Sequence, residues 1–308
     1  MGDGVMNINF KARRLRFANG ERFSILLGPR GLPVHEVVLF LASFRKRGRA
    51  ANTIHLVCTA LALLYRVLAE AKIDLLERLR AGEFLTVPEV SRLADAAQYR
   101  ADEVFEEAPE VARRLTVINL RSVRRRRRPH APEGKAVEAA HQATRIRYMA
   151  SFLGFVADYY GSQLPRPQKR ALALESAQVL KSFTAQIPKV SRRAKLGARE
   201  GLSLEEQLRV LAIVDPASPS NPWANAFVRM RNWVIVAVLL ATGMRRGELL
   251  GLQISDFDPR QAQLSVLRRA DVPEDPRLIQ ASTKTNDRVL DLRPEIMDVG
   301  ADRKLSHF

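Results

Sequence analysis

Residues 241–258 read ATGMRRGELLGLQISDFD. Two consecutive arginines, Arg245 and Arg246, follow a Thr242–Gly243 pair. They stand directly behind the most apolar run of the chain, residues 233–241. A guanidinium stays charged, and its planar, forked donors match two oxygens of a phosphate. Glycine readily ends a helix, so Gly243 supplies a tight turn after the apolar run. A short helix restarting at the arginines and ending near Ile254 then aims Arg245 from a fixed support, which is electrostatic preorganisation. Glu248 is expected to orient this segment rather than react. Arg246 reads as a backbone contact or a surface charge.

The rest of the chain must position these groups. With 308 residues, about two domains are expected. The 46% hydrophobic content is that of a globular protein with real cores. Fifty Lys and Arg against 33 Asp and Glu leave a net charge of +17 and a pI near 10.8. That surplus points to a polyanionic partner, and nucleic acid is the commonest. Cys58 is the only cysteine. It excludes an internal disulfide and any Cys-based zinc site, and it suits a reducing compartment. The N-terminus lacks the apolar segment of a signal peptide, and the 233–241 run is far short of the ~20 residues of a membrane span. A cytoplasmic location is expected.

Residues 1–30 read as a basic, irregular arm. A helical DNA-binding region is expected over 31–160. In it Ile54, Val57, Leu61, Leu64 and Leu68 recur at helical spacing, with Asn52 or Thr53 as the cap. A second helical pattern runs from about Val87 to Glu107. A third carries Ile146, Met149, Leu153 and Val156 on one side, leaving Arg145 and Arg147 for the other. Between them, 121–134 (RSVRRRRRPHAPEG) reads as a basic loop. Residues 161–200, with three prolines and the tract SRRAKLGARE, read as a basic linker. Residues 121–200 hold 18 Lys and Arg against 5 Asp and Glu, a surplus of 13. Concentrated charge is a stronger nucleic-acid signal than diffuse charge. The expected phosphate contacts are Arg124, Arg125, Arg126, Arg127, Arg128, Arg145, Arg147, Arg192, Arg193 and Lys195.

From Ser203 the texture changes. SLEE is a capping box, with Glu206 three residues after Ser203. A nearly all-apolar helix, roughly Asn225 to Ala241, is expected to be buried on most sides. QLSVL reads as a strand. Residues 280–292 read as a hairpin turning at Asn286–Asp287.

This last region resembles the catalytic domain of the tyrosine recombinases, the phage-integrase family. The family's first box is Thr-Gly-x-Arg, a Glu three residues after the Arg, then a Leu and an Asp four apart. Here these are Thr242, Gly243, Arg245, Glu248, Leu252 and Asp256. STKTNDRVLDL resembles the family's β-hairpin, which carries a catalytic lysine that corresponds to Lys284. The match covers roughly residues 200–292, and the N-terminal helices resemble the family's core-binding domain more weakly. The resemblance implies a mainly α protein: a helical core-binding-type domain, then part of an α+β catalytic domain, residues 201–308, with a small sheet. It implies a site-specific recombinase acting on double-stranded DNA, with other recombinase protomers on the same DNA and without cofactor or metal. Arg245 and Lys284 would be catalytic, Arg245 gripping the phosphate and Lys284 protonating a leaving 5′-oxygen. Thr242, Gly243, Glu248 and Asp256 would support them.

The family also carries a His-x-x-Arg box and a nucleophilic tyrosine after the lysine. Tyr65, Tyr99, Tyr148, Tyr159 and Tyr160 all precede Arg245. His35, His55, His130 and His141 also precede it and lack the following Arg, while His307 stands next to the final residue. The sequence therefore reads as an apparently truncated member that binds DNA without cleaving it. The alternative is a non-catalytic protein that occupies or regulates recombination sites. No Gly-rich phosphate loop, His-Glu-x-x-His or Cys/His metal spacing occurs. His55 and Cys58, three apart, read as helix-face residues, and Tyr159–Tyr160 as rim and core.

Overall fold

A computed structural model describes residues 10–99, 136–189, 201–269, 271–281 and 286–292. The protein is mainly helical with two small antiparallel sheets. It forms two compact units, divided near residue 192.

The first unit opens with two strands, β1 (Lys11–Arg16) and β2 (Arg22–Leu27), paired antiparallel with Lys11 opposite Leu27 and Arg16 opposite Arg22. The irregular arm expected over residues 1–30 is thus a hairpin from residue 11 onward. Its basic composition hid the period-two pattern, in which Ser24 and Leu26 turn inward on β2. Helices α1 (His35–Lys46), α2 (Ala51–Glu70), α3 (Leu75–Ala81) and α4 (Val87–Ala96) follow. In α2 the residues Ile54, Val57, Leu61, Leu64 and Leu68 are all buried, as their spacing predicts. Its N-cap is Ala50, without a side-chain bond. Asn52 does not cap the helix; it accepts a hydrogen bond from Arg14 at 3.0 Å. Among the described residues α2 is the one helix long and apolar enough to cross a membrane, yet 56% of its most apolar window is buried.

Asp74 caps α3 by accepting the N–H groups of Leu76 and Glu77, each at 3.0 Å. Glu89 closes a capping box on Thr86 and takes an ion pair from Arg78 at 2.9 Å. Burial alone would raise the Glu89 carboxyl, but these donors hold it below its usual value.

Helix α5 (Ala139–Gly161) lies against α2, and α6 (Arg166–Ala185) lies against α5 and α4. Half of the linker expected over 161–200 is therefore a helix of this unit, and residues 190–200 lie outside the described residues. Pro165 is its N-cap, and Pro167 sits in the first turn, where its missing N–H costs nothing. Leu172, Ser176, Val179 and Phe183 form its one buried stripe. Phe40, Phe152 and Tyr65 interlock at the centre, with ring centroids 5.4 and 5.9 Å apart. Buried Glu36 accepts the Tyr160 hydroxyl at 2.7 Å, while Tyr159 sits at the rim. Cys58 is fully buried, and burial pushes its thiol up to about 12.

The second unit contains α7 (Leu204–Val214), α8 (Ala226–Thr242), the single turn α9 (Arg246–Leu249), a 3-10 turn (Ile254–Asp256) and a three-stranded sheet. Ser203 caps α7 in the predicted box with Glu206. The sheet order is β3 (Phe257–Asp258), β4 (Gln263–Val266), β5 (Arg288–Asp291). The strand partner of β5 is β4, with Gln263 opposite Asp291; residues 280 and 281 are not strand, so the hairpin expected over 280–292 is not formed from them. Residues 282–285 lie outside the described residues. Nor is α8 buried on most sides. Only Ala237 is buried, and Phe227 and Val234 are exposed. Its neighbours are α7 and a small cluster of Met244, Leu264, Val266 and Leu292, which cover part of its circumference.

Candidate functional site

The arginine segment is built by local rules. Asn225 caps α8 by accepting the N–H of Val228 at 3.1 Å. Gly243 ends the helix in the left-handed region at φ 60°, its N–H bonded to Leu239. Thr242 ties the turn down: its hydroxyl donates to the carbonyl of Val238 at 2.6 Å and accepts the N–H of Met244. Met244 drops into the small core, 5% exposed. That places Arg245 at the cap position of α9 and Arg246 on the exposed first turn.

Glu248 is the hub. Its side chain is 1% exposed. It accepts the backbone N–H of Arg245 at 2.9 Å and meets that residue's guanidinium at 3.4 Å. On its other side Arg288 of β5 donates from both terminal nitrogens, at 2.7 and 3.2 Å. The ion pair raises the Arg288 guanidinium above its usual value. Two cations thus share one buried carboxylate. The Arg245 side chain remains 62% exposed, and Arg288 is 33% exposed. An exposed guanidinium whose backbone is held by a buried anion is suited to bind an external oxyanion.

Asp256 repeats the device one segment on. It accepts the N–H of Gln253 at 2.8 Å and a two-nitrogen fork from Arg269, one arm at 2.8 Å. Burial alone would raise its carboxyl, but the Arg269 fork and the Gln253 N–H hold it below the usual carboxylate range. The same fork raises Arg269. A cleft of about 430 Å³ lies beside this pair, lined by Leu250, Leu252, Leu267, Arg269, Arg277 and Gln280. Of its polar side chains, Arg277 is tied to Asp275 and Gln280 accepts the N–H of Val272.

Of the predicted residues, Thr242, Gly243, Arg245 and Glu248 come together, and Asp256 braces the adjoining turn. Lys284 lies outside the described residues, as do Arg124, Arg125, Arg126, Arg127, Arg128, Arg192, Arg193 and Lys195. Arg147 is exposed on α5. Arg145 is not a free surface cation. It reaches back to the carbonyls of Ala97 and Tyr99, at 3.2 and 2.6 Å, and binds the end of α4 to α5.

Sequence reasoning did not single out Arg288 or Arg269. For Arg288 a signal existed: it shares the inward face of β5 with Leu290, in line with buried Leu292. A charge at an inward strand position demands a buried counter-charge. Among the described residues no group of three or more His, Cys, Asp and Glu is placed to hold a metal. His55 instead shares a 3.1 Å hydrogen bond with Ser24, and burial and Arg14 lower its pKa.

Comparisons with protein-family models, curated proteins and solved structures find no match for the chain.

Proposed function

We propose that this chain is a DNA-binding protein of the tyrosine-recombinase type, in which Arg245 grips a backbone phosphodiester. The observation that carries this reading is the Arg245–Glu248 arrangement: a buried carboxylate fixes the backbone of an arginine whose guanidinium faces solvent. It stands in the order Thr-Gly-x-Arg-x-x-Glu that the family's first box requires. In phosphoryl transfer such a guanidinium stabilises charge on the non-bridging oxygens. Lys284 would supply the proton to the leaving oxygen. The covalent step needs a tyrosine oxygen to attack phosphorus, and all five tyrosines of these 308 residues precede Arg245. The 308 residues by themselves are therefore expected to bind DNA, at sites shared with other protomers, without cleaving it. A DNA partner fits a cytoplasmic location.

Two measurements test this. Affinity for a duplex should fall steeply with salt; contact with about six phosphates gives a log–log slope near −5. A slope near zero removes the DNA reading. Incubation with a nicked suicide duplex should yield no covalent adduct on a denaturing gel. An adduct mapped to any of the five tyrosines would overturn the assignment of the site.

A further inference from the structure

Glu248 holds two arginines unequally. Arg288 takes both carboxylate oxygens with a parallel fork, whereas the Arg245 guanidinium touches one oxygen at 3.4 Å. From this inequality we infer that Arg288 is a positioning residue that keeps Arg245 available to a phosphodiester, by occupying the carboxylate that would otherwise capture it. The inference deepens the phosphodiester reading and rests on it for its purpose, though not for its geometry.

A carboxylate this buried cannot turn to water, so it must be satisfied by nearby donors. Among the described residues two cations are in reach. Arg245 is three residues away, joined to the same helical turn, with a long and largely exposed side chain. If Arg288 is absent, the least costly response is for Arg245 to fold inward and form the fork itself. A guanidinium forked onto a carboxylate has spent the donors that would fork onto a phosphate. Both terminal nitrogens of Arg288 are engaged by Glu248.

The decisive experiment needs no DNA. The full 308-residue protein is treated with phenylglyoxal, and modification of Arg245 is followed by mass spectrometry. In wild type Arg245 reacts as an exposed arginine. In Arg288→Gln its rate should fall about tenfold, the factor that a capture worth about 1.4 kcal/mol represents. In Arg288→Gln combined with Glu248→Gln the rate should return to within about threefold of wild type, since a neutral amide no longer captures the guanidinium. An unchanged rate in Arg288→Gln overturns the inference. So does a low rate that persists in the double variant. If Arg288→Gln loses the wild-type circular dichroism spectrum, Arg288→Lys carries the test. Its single ammonium holds the carboxylate less completely, so Arg245 should react about twofold to threefold more slowly, and an equal rate overturns the inference.

Duplex affinity by fluorescence anisotropy separates this inference from the functional reading. Arg245→Ala should weaken binding by about tenfold, and Arg288→Gln by a similar factor. If Arg245→Ala has no effect while the modification pattern holds, the phosphodiester reading fails and the Arg288 geometry stands. If Arg245→Ala weakens binding and Arg288→Gln does not, the positioning role fails.

Discussion

Replacing Asp256 by Asn removes a charge but little volume, so its effect isolates electrostatics. Asp256 accepts three hydrogen bonds in the wild type, two from the Arg269 fork and one from the Gln253 N–H. The amide keeps one carbonyl oxygen and turns a donor toward the other partner. At least one charge-assisted bond is lost, worth about 1.5–3 kcal/mol. Arg269 is 22% exposed and recovers part of this from water, which leaves a cost of about 2 kcal/mol. At about 1.4 kcal/mol per tenfold, this is roughly a 30-fold increase in local opening. The second unit has only a small buried cluster to absorb it, so the opening should include β4 and β5. Hydrogen exchange read by mass spectrometry measures both units in one sample. The amides of β4 and β5 should exchange about 30-fold faster, and those of α2 and α5 should not change. Asp256 has a lowered folded pKa, so its contribution is present above the unfolded carboxylate range and is lost as pH falls through the folded value. The variant should therefore lose less stability than wild type between neutral pH and pH 3. A rise in exchange below about threefold, or an equal rise in α2, would refute the argument.

Four further outcomes are expected. Arg145→Ala should expose the end of α4 and raise exchange near Ala97 by about tenfold, because two partly buried carbonyls lose a charged donor; duplex affinity should change by less than twofold, and a larger loss would make Arg145 a phosphate contact after all. Cys58, with its thiol held near 12 by burial, should resist a disulfide exchange reagent at pH 8 until denaturant is added. Because its folded pKa is raised, the stability it contributes is present below the unfolded value near 9 and falls as pH rises toward 12, so alkaline melts should show a lower midpoint. Gly243→Ala should cost the second unit about 1 kcal/mol, since φ 60° is strained for any residue with a Cβ even though open space surrounds the position; an unchanged melting midpoint would refute that strain.

The features legible in the sequence are those set within a few residues. Ser203 and Glu206 sit three apart, so their reciprocal bonds form wherever the helix begins. Gly243 stops α8 because only a residue without a side chain takes that conformation cheaply. The buried face of α2 follows from the 3.6-residue period, and the turn at Thr242 and Gly243 is set by bonds to residues within four positions. The tertiary structure decided whatever joins distant positions. Residues 11–27 look like a basic arm until α2 offers a surface for Ser24 and Leu26. Arg145 looks like a surface cation until the carbonyls of Ala97 and Tyr99, nearly fifty residues earlier, come within reach. β5 pairs with β4 because a strand pairs with whichever edge is brought beside it. Arg288 meets Glu248 across forty residues of sequence. Side-chain type and spacing fix a local turn, but a buried charge finds its partner only when the chain has closed around both.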